Sequence, residues 1–112
     1  MTPIAFAEKY GLTVASAGCG NEREISGVYC CDLLSMVMGR AREDDAFLTV
    51  MGNVNTVVVA VLADVSCVVL CEGIKLEDAV LQKAVDQDIC VLYSEEPTFK
   101  VALKLAKELE LV

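Results

Sequence analysis

The sequence predicts an α/β fold of three layers, a mainly parallel sheet built from βα repeats with helices packed on it, and three observations lead there. From Ala46 onward, a short β-type apolar run, a turn and a helix-compatible segment recur three times, with Gly52, Gly73 and Ser94 at even intervals of 21 residues. Connections of that length suit helical crossovers, which make neighbouring strands parallel and the crossovers right-handed. The apolar share is 55%, above the roughly 45 to 50% of soluble domains. That excess requires a sheet covered on both faces, or a face hidden against another chain.

The elements follow in order. Pro3 to Tyr10 reads as a short helix ended by Gly11, and Leu12 to Ala15 as a strand. Ala17 to Glu24, with two glycines, is a loop. Ile25 to Tyr29 is a further strand, after which Asp32 is placed to cap a helix burying Leu33, Met36 and Val37. The three repeated strands are Phe47 to Met51, Cys67 to Cys71 and Ile89 to Tyr93. Val57, Val58, Val59 and Val61 are β-branched and prefer strands by propensity. The repeat makes the segment through Ala63 a helix instead, apolar all round because it is buried on every side, with Asn55 or Thr56 capping its start. In the next helix Leu76, Val80, Leu81, Ala84 and Val85 share one face, and Glu77 and Asp78 occupy the first turn, where the helix dipole favours negative charge. Pro97 suits the start of the last helix. Its buried stripe is Phe99, Ala102, Leu103, Ala106 and Leu109, with Lys100, Lys104, Lys107 and Glu108 toward water.

The 112 residues make one domain, 1–112, with a single core. The longest strictly apolar stretch, Val57 to Ala63, is far short of the roughly 18 to 20 residues of a membrane span. Met1 to Tyr10 lacks the basic start and cleavage site of a secretory signal, so a cytoplasmic location is expected and no membrane partner. Seventeen acidic against nine basic residues give a charge of −8, which repels a phosphate backbone and excludes nucleic acid as a partner. The six cysteines sit in a core-rich chain with no export signal, and they are read as reduced.

The absence of histidine removes His-based triads, His-ligated metals and imidazole acid–base chemistry. No phosphate-loop pattern occurs, and Gly18-Cys19-Gly20-Asn21 lacks the third glycine and the helix of a dinucleotide fingerprint. Cys67 and Cys71 would lie roughly 13 Å apart at ~3.3 Å per residue of strand, too far for one ion. Cys30 and Cys31 point to opposite sides of a strand, and no CxxC pair exists, so neither a metal nor a cofactor is expected. The carboxylates Glu43, Asp44 and Asp45, and Glu95 with Glu96, read as a solvated turn and the acidic start of a helix. No catalytic residue is assigned. A parallel sheet does bring the loops leaving its strands' C-terminal ends to one edge, where α/β folds bind ligands. That edge would present Asn53, Asn55, Thr56, Glu72, Gly73, Ser94, Glu95 and Thr98. Glu72, Glu95 and Glu96 disfavour a phosphorylated ligand there, and Lys75 is the one nearby base.

From about Leu12 to Leu105 the chain also resembles a known family. The residues that carry this are Ile25-Ser26-Gly27-Val28, Leu34-Ser35-Met36, Gly52 to Val57, Val68 to Gly73 with Glu77 to Ala84, and Ile89 to Leu92 leading to Pro97-Thr98-Phe99. They are similar to the DRTGG domain, a regulatory module found alone, in some phosphotransacetylases and with CBS domains in certain pyrophosphatases, and related to the N-terminal domain of HPr kinase/phosphorylase. The resemblance is nearest to small stand-alone members, some of which accompany hydrogenase components. The positions of the family's Asp-Arg and Thr-Gly-Gly hold Asn53-Val54 and Cys71-Glu72-Gly73, so only the last glycine is kept. The resemblance implies a fold like that HPr kinase domain, dimerisation, and regulation linked to adenylates. The expectation is therefore a non-catalytic, homodimeric ligand-sensing or docking domain, whose partner is a small polar metabolite, an adenine nucleotide or a partner enzyme. The alternatives are a thiol-based metal or redox accessory protein linked to hydrogenase assembly, and an enzyme using Glu72 or Asp32 as base.

Overall fold

The computed structural model describes residues 1–112. The chain runs α1 (Pro3–Tyr10), β1 (Thr13–Ser16), β2 (Gly27–Cys30), α2 (Leu34–Arg40), β3 (Asp45–Thr49), α3 (Val54–Ala63), β4 (Cys67–Leu70), α4 (Asp78–Asp86), β5 (Val91–Tyr93) and α5 (Thr98–Glu108). Every residue of β3 and β4 is buried. Side chains alternate across a strand, so two water-free faces must form. Ala46, Leu48, Cys67 and Val69 point into one core with Phe6 and Ala7 of α1 and Val101 and Leu105 of α5. Phe47, Val68 and Leu70 point into the other, with Val37 of α2, Val57, Val59 and Ala60 of α3, and Ala84 of α4. These are the expected three layers, two helices and three helices enclosing one sheet.

The sheet order is β1-β5-β4-β3-β2. Strands β2 to β5 are parallel, and β1 alone is antiparallel, pairing with β5. The three crossover helices lie on one face, as a constant crossover hand demands. The 21-residue spacing holds between β3 and β4, where Ala46 pairs with Cys67. It fails between β4 and β5, where Val68 pairs with Val91, because the segment Glu72 to Glu77 lengthens that connection before α4 begins.

Helix α3 forms despite its valines because the Asn53 side chain caps it, accepting from the N–H groups of Asn55 and Thr56. Neither Asn55 nor Thr56 is the cap, which needs an extended residue ahead of the first turn. The helix is also not buried on every side: Val58, Val61 and Leu62 are exposed. Asp32 does not cap α2, which starts after Leu33 without a side-chain cap. Its carboxylate instead accepts from the Thr49 hydroxyl at 2.7 Å and the Val50 N–H at 2.9 Å, tying the ends of β2 and β3 together. In α5 the buried pair is Val101 and Leu105, while Phe99 is 73% exposed. Val85 in α4 is exposed as well. Asp45 lies in β3, buried, and accepts from the Arg42 N–H at 2.8 Å, so it is not part of a solvated turn. Asp44 and Asp64 both take positive φ and are held by the Arg23 guanidinium.

Helices α1 and α5 are latched by Glu108, which accepts from the Tyr10 hydroxyl at 2.6 Å and pairs with Lys9. The hydrogen bonds from Lys9 and then Tyr10 hold its carboxyl below the ordinary glutamate range. A carboxyl depressed on folding adds stability above its unfolded pKa, and this is lost as pH falls through the folded value. Thermal melts should therefore show the chain weakening as pH drops below about 4.3, the ordinary glutamate value, with a shallower decline in Glu108→Gln. Equal slopes in the two proteins would show that the latch does not contribute.

Candidate functional site

Because β2 to β5 run the same way, their C-terminal ends leave the sheet at one edge. The antiparallel β1 starts at that edge, so Gly11 to Thr13 join it. The turns after the strands do not stand apart. Gly52 lies so close to Ile74 and the Lys75 carbonyl that an added Cβ would sit 2.7 Å from Ile74 Cγ2. The Gly73 N–H donates to the Ser94 carbonyl at 2.9 Å, and the Glu72 N–H to the Glu96 carbonyl at 3.0 Å. The segment Glu72 to Leu76 thus contacts both the Asn53 turn and the Ser94 turn.

Several of the residues expected at this edge spend their polar atoms on the turns themselves. Asn53 Oδ1 accepts from the Asn55 N–H at 2.9 Å and the Thr56 N–H at 3.4 Å. Thr56 is buried and donates to the Met51 carbonyl. Asn55 is exposed on the first turn of α3. Glu72 and Gly73 have φ of 62° and 75°, and the Ile74 N–H closes their turn onto the Cys71 carbonyl at 3.2 Å. A side chain at Gly73 would be strained by that φ and would also meet Glu95 Oε2 at 2.6 Å. Ser94 is buried, and its Oγ accepts from the Glu96 N–H at 3.1 Å. Thr98 is half-buried in the first turn of α5, and the buried Cys71 thiol lies just past the end of β4. Burial pushes that thiol up to about 11.

The open part of the edge lies toward β1. A cleft of about 200 Å³ is lined by Tyr10, Leu12, Thr13, Lys75, Tyr93 and the run Ser94 to Glu96. Lys75 is the one base among its lining residues. The Tyr93 hydroxyl accepts from the Leu76 N–H at 3.1 Å, which fixes the segment that carries Lys75 beside the cleft. Glu96 is paired with Lys104 of α5. Of the residues expected from the sequence, Ser94, Glu95 and Glu96 line this cleft together with Lys75, the base expected nearby; Gly73 borders it through Glu95, and Asn53, Asn55 and Thr56 lie at the α3 side. The contribution of Tyr10 to Thr13 was not foreseen. The available signal was Gly11, in the left-handed conformation at the end of α1, which turns the chain at once into β1.

A family model described as the DRTGG domain matches residues 7–107. The chain belongs to the DRTGG domain family. A solved structure shares its fold: the CBS and DRTGG domains of the regulatory region of Clostridium perfringens pyrophosphatase, complexed with the activator diadenosine tetraphosphate. The TM-score is 0.77 at 11% identity over 99% of this chain, which spans about half (49%) of the other. No curated protein matches the chain.

In this DRTGG domain Gly73 occupies a position where the backbone and Glu95 admit no side chain. Helix α3 begins at Val54, and Asn53 serves as its cap. The glycines of the Gly18 to Asn21 loop lie at the opposite end of β5: a Cβ on Gly18 would meet Ile89 and Asp88 backbone within 2.7 Å. Those glycines answer a packing need and do not face the edge. The thiol alternative finds no ligand set, since no group of three or more Cys, Asp or Glu could hold a metal ion. Cys67, Cys71 and Cys90 are buried, burial pushing Cys90 up to about 12 and Cys67 higher, so these thiols resist ionisation. No helix is long and apolar enough to cross a membrane.

Asn53→Ala should lower the unfolding free energy by about 1 kcal/mol through loss of the cap, read from urea denaturation. An unchanged midpoint would show that α3 starts without it.

Proposed function

We propose that this DRTGG domain, acting as one regulatory unit over residues 1–112, senses a small polar ligand in the cleft between β1 and the turn after β5. It does so without catalysis of its own, as a homodimer in the cytoplasm. The observation that carries the reading is the cleft itself. It stands at the C-terminal ends of parallel strands, where α/β folds bind ligands, and polar groups converge there. Thr13, Lys75 and Glu95 supply a hydroxyl, an ammonium and a carboxylate around a space suited to one small group. That set fits a ligand rich in hydrogen-bond donors, such as an adenine nucleoside, with its ribose hydroxyls or amino group toward Glu95. The structural neighbour's activator is a diadenosine compound, which makes adenine derivatives the class to test first. Family membership supports a regulatory role. Ser94, a candidate nucleophile by type, is buried and bonded to backbone, with no histidine in the chain to activate it.

Thermal-shift and calorimetric titrations with adenosine, ATP and diadenosine tetraphosphate test this. A ligand at ~100 times its dissociation constant adds about 2.7 kcal/mol to stability, so at least one compound should raise the melting temperature by several degrees. Glu95→Gln should weaken that compound tenfold or more while leaving the ligand-free melt unchanged. Silence from all three compounds would remove the adenine reading, and full affinity in Glu95→Gln would remove the cleft.

A further inference from the structure

Helix α3 contains no charged residue over its ten positions, Val54 to Ala63. One side is used by the core through Thr56, Val57, Val59 and Ala60. The other side is apolar too, although it faces solvent: Val58 is 49% exposed, Val61 38% and Leu62 63%. A helix on the surface of a sheet ordinarily turns charge outward, as α4 and α5 do. Between α3 and α4 these side chains form one wall of an open groove of about 460 Å³. The facing wall is Lys83, Asp86 and Gln87. Nothing within the chain covers this groove, and no ion pair engages Lys83. Asp86 accepts one hydrogen bond, from Gln82 at 2.9 Å, and keeps acceptor capacity to spare.

Charge identifies the occupant. The chain carries −8, so a second copy brings a second −8, and two copies meet at least cost where local charge cancels. The groove meets that condition: α3 contributes none, and Lys83 and Asp86 sum to zero. A two-fold contact also demands a self-complementary patch, in which residue i meets j of the partner and j meets i. Lys83 and Asp86, one turn apart on α4, are such a pair. A two-fold axis lying in the contact plane, across the length of the groove, sets Lys83 against the other copy's Asp86 twice over and stacks Val58, Val61 and Leu62 on their counterparts. We infer that the α3–α4 groove is the surface through which two copies of this domain associate, isologously and with an uncharged centre. This rests on the homodimer proposed above and assigns it a face on the side of the sheet carrying α2, α3 and α4, away from the α1 and α5 layer.

Analytical ultracentrifugation of the full chain at micromolar concentration is the test, with thermal melts confirming that each variant folds. The wild type should sediment as a dimer. Leu62→Glu, at an exposed position, should weaken association tenfold or more. Lys83→Asp should weaken it as well, by setting carboxylates against carboxylates, and the double variant Lys83→Asp/Asp86→Lys should restore it. A wild-type dimer that survives Leu62→Glu unchanged overturns this surface while leaving the dimer itself standing. A double variant no tighter than Lys83→Asp overturns the two-fold pairing. A wild type that remains monomeric overturns both the surface and the dimer.

Discussion

Every residue of strands β3 and β4 is buried, and the remainder of the molecule is arranged to keep them so. Their alternating side chains feed two separate cores, so helices must cover both faces. Covering one face with three successive crossovers forces the strands parallel, and parallel strands deliver their turns to a common edge. The candidate site is thus a consequence of how the core is buried. Its polar residues are held there by backbone geometry that the sheet imposes.

That edge is tightly self-bonded over most of its length. Asn53, Thr56, Asp32 and Ser94 direct their side-chain oxygens at backbone groups or at one another's turns. Such groups stabilise the strand ends and have little left for a ligand. Space and uncommitted polar groups remain where the antiparallel β1 meets β5, because the end of α1 and the Lys75 segment stand apart there. Asn53, by contrast, is tied to starting α3.

Much of this architecture was legible in the residues. The Gly52 and Gly73 turns gave the β3–β4 register, and the repeat correctly overruled the strand preference of the α3 valines, since Asn53 caps them into a helix. The extra length before α4 was hidden because Glu72 to Leu76 looks like helix approach by composition, whereas in space it bridges two turns. Helix α5 carries apolar residues at overlapping spacings, and only packing against β2 and β3 selects Val101 and Leu105 over Phe99. Asp32 has the composition of a helix cap, yet the Thr49 hydroxyl offers it a partner distant in sequence. The share of α1 and β1 in the cleft depends on strand order, which local patterning does not carry.

The account stands on ligand contact at the open end of the edge, beside β1 and β5. Amide chemical-shift mapping during titration with adenosine tests that location directly. The account predicts saturable shifts centred on Gly11 to Thr13, Lys75 and Tyr93 to Glu96, with the Gly18 to Arg23 loop at the far end of the sheet unmoved. Saturable shifts centred on that far loop, with the Ser94 turn silent, would contradict it.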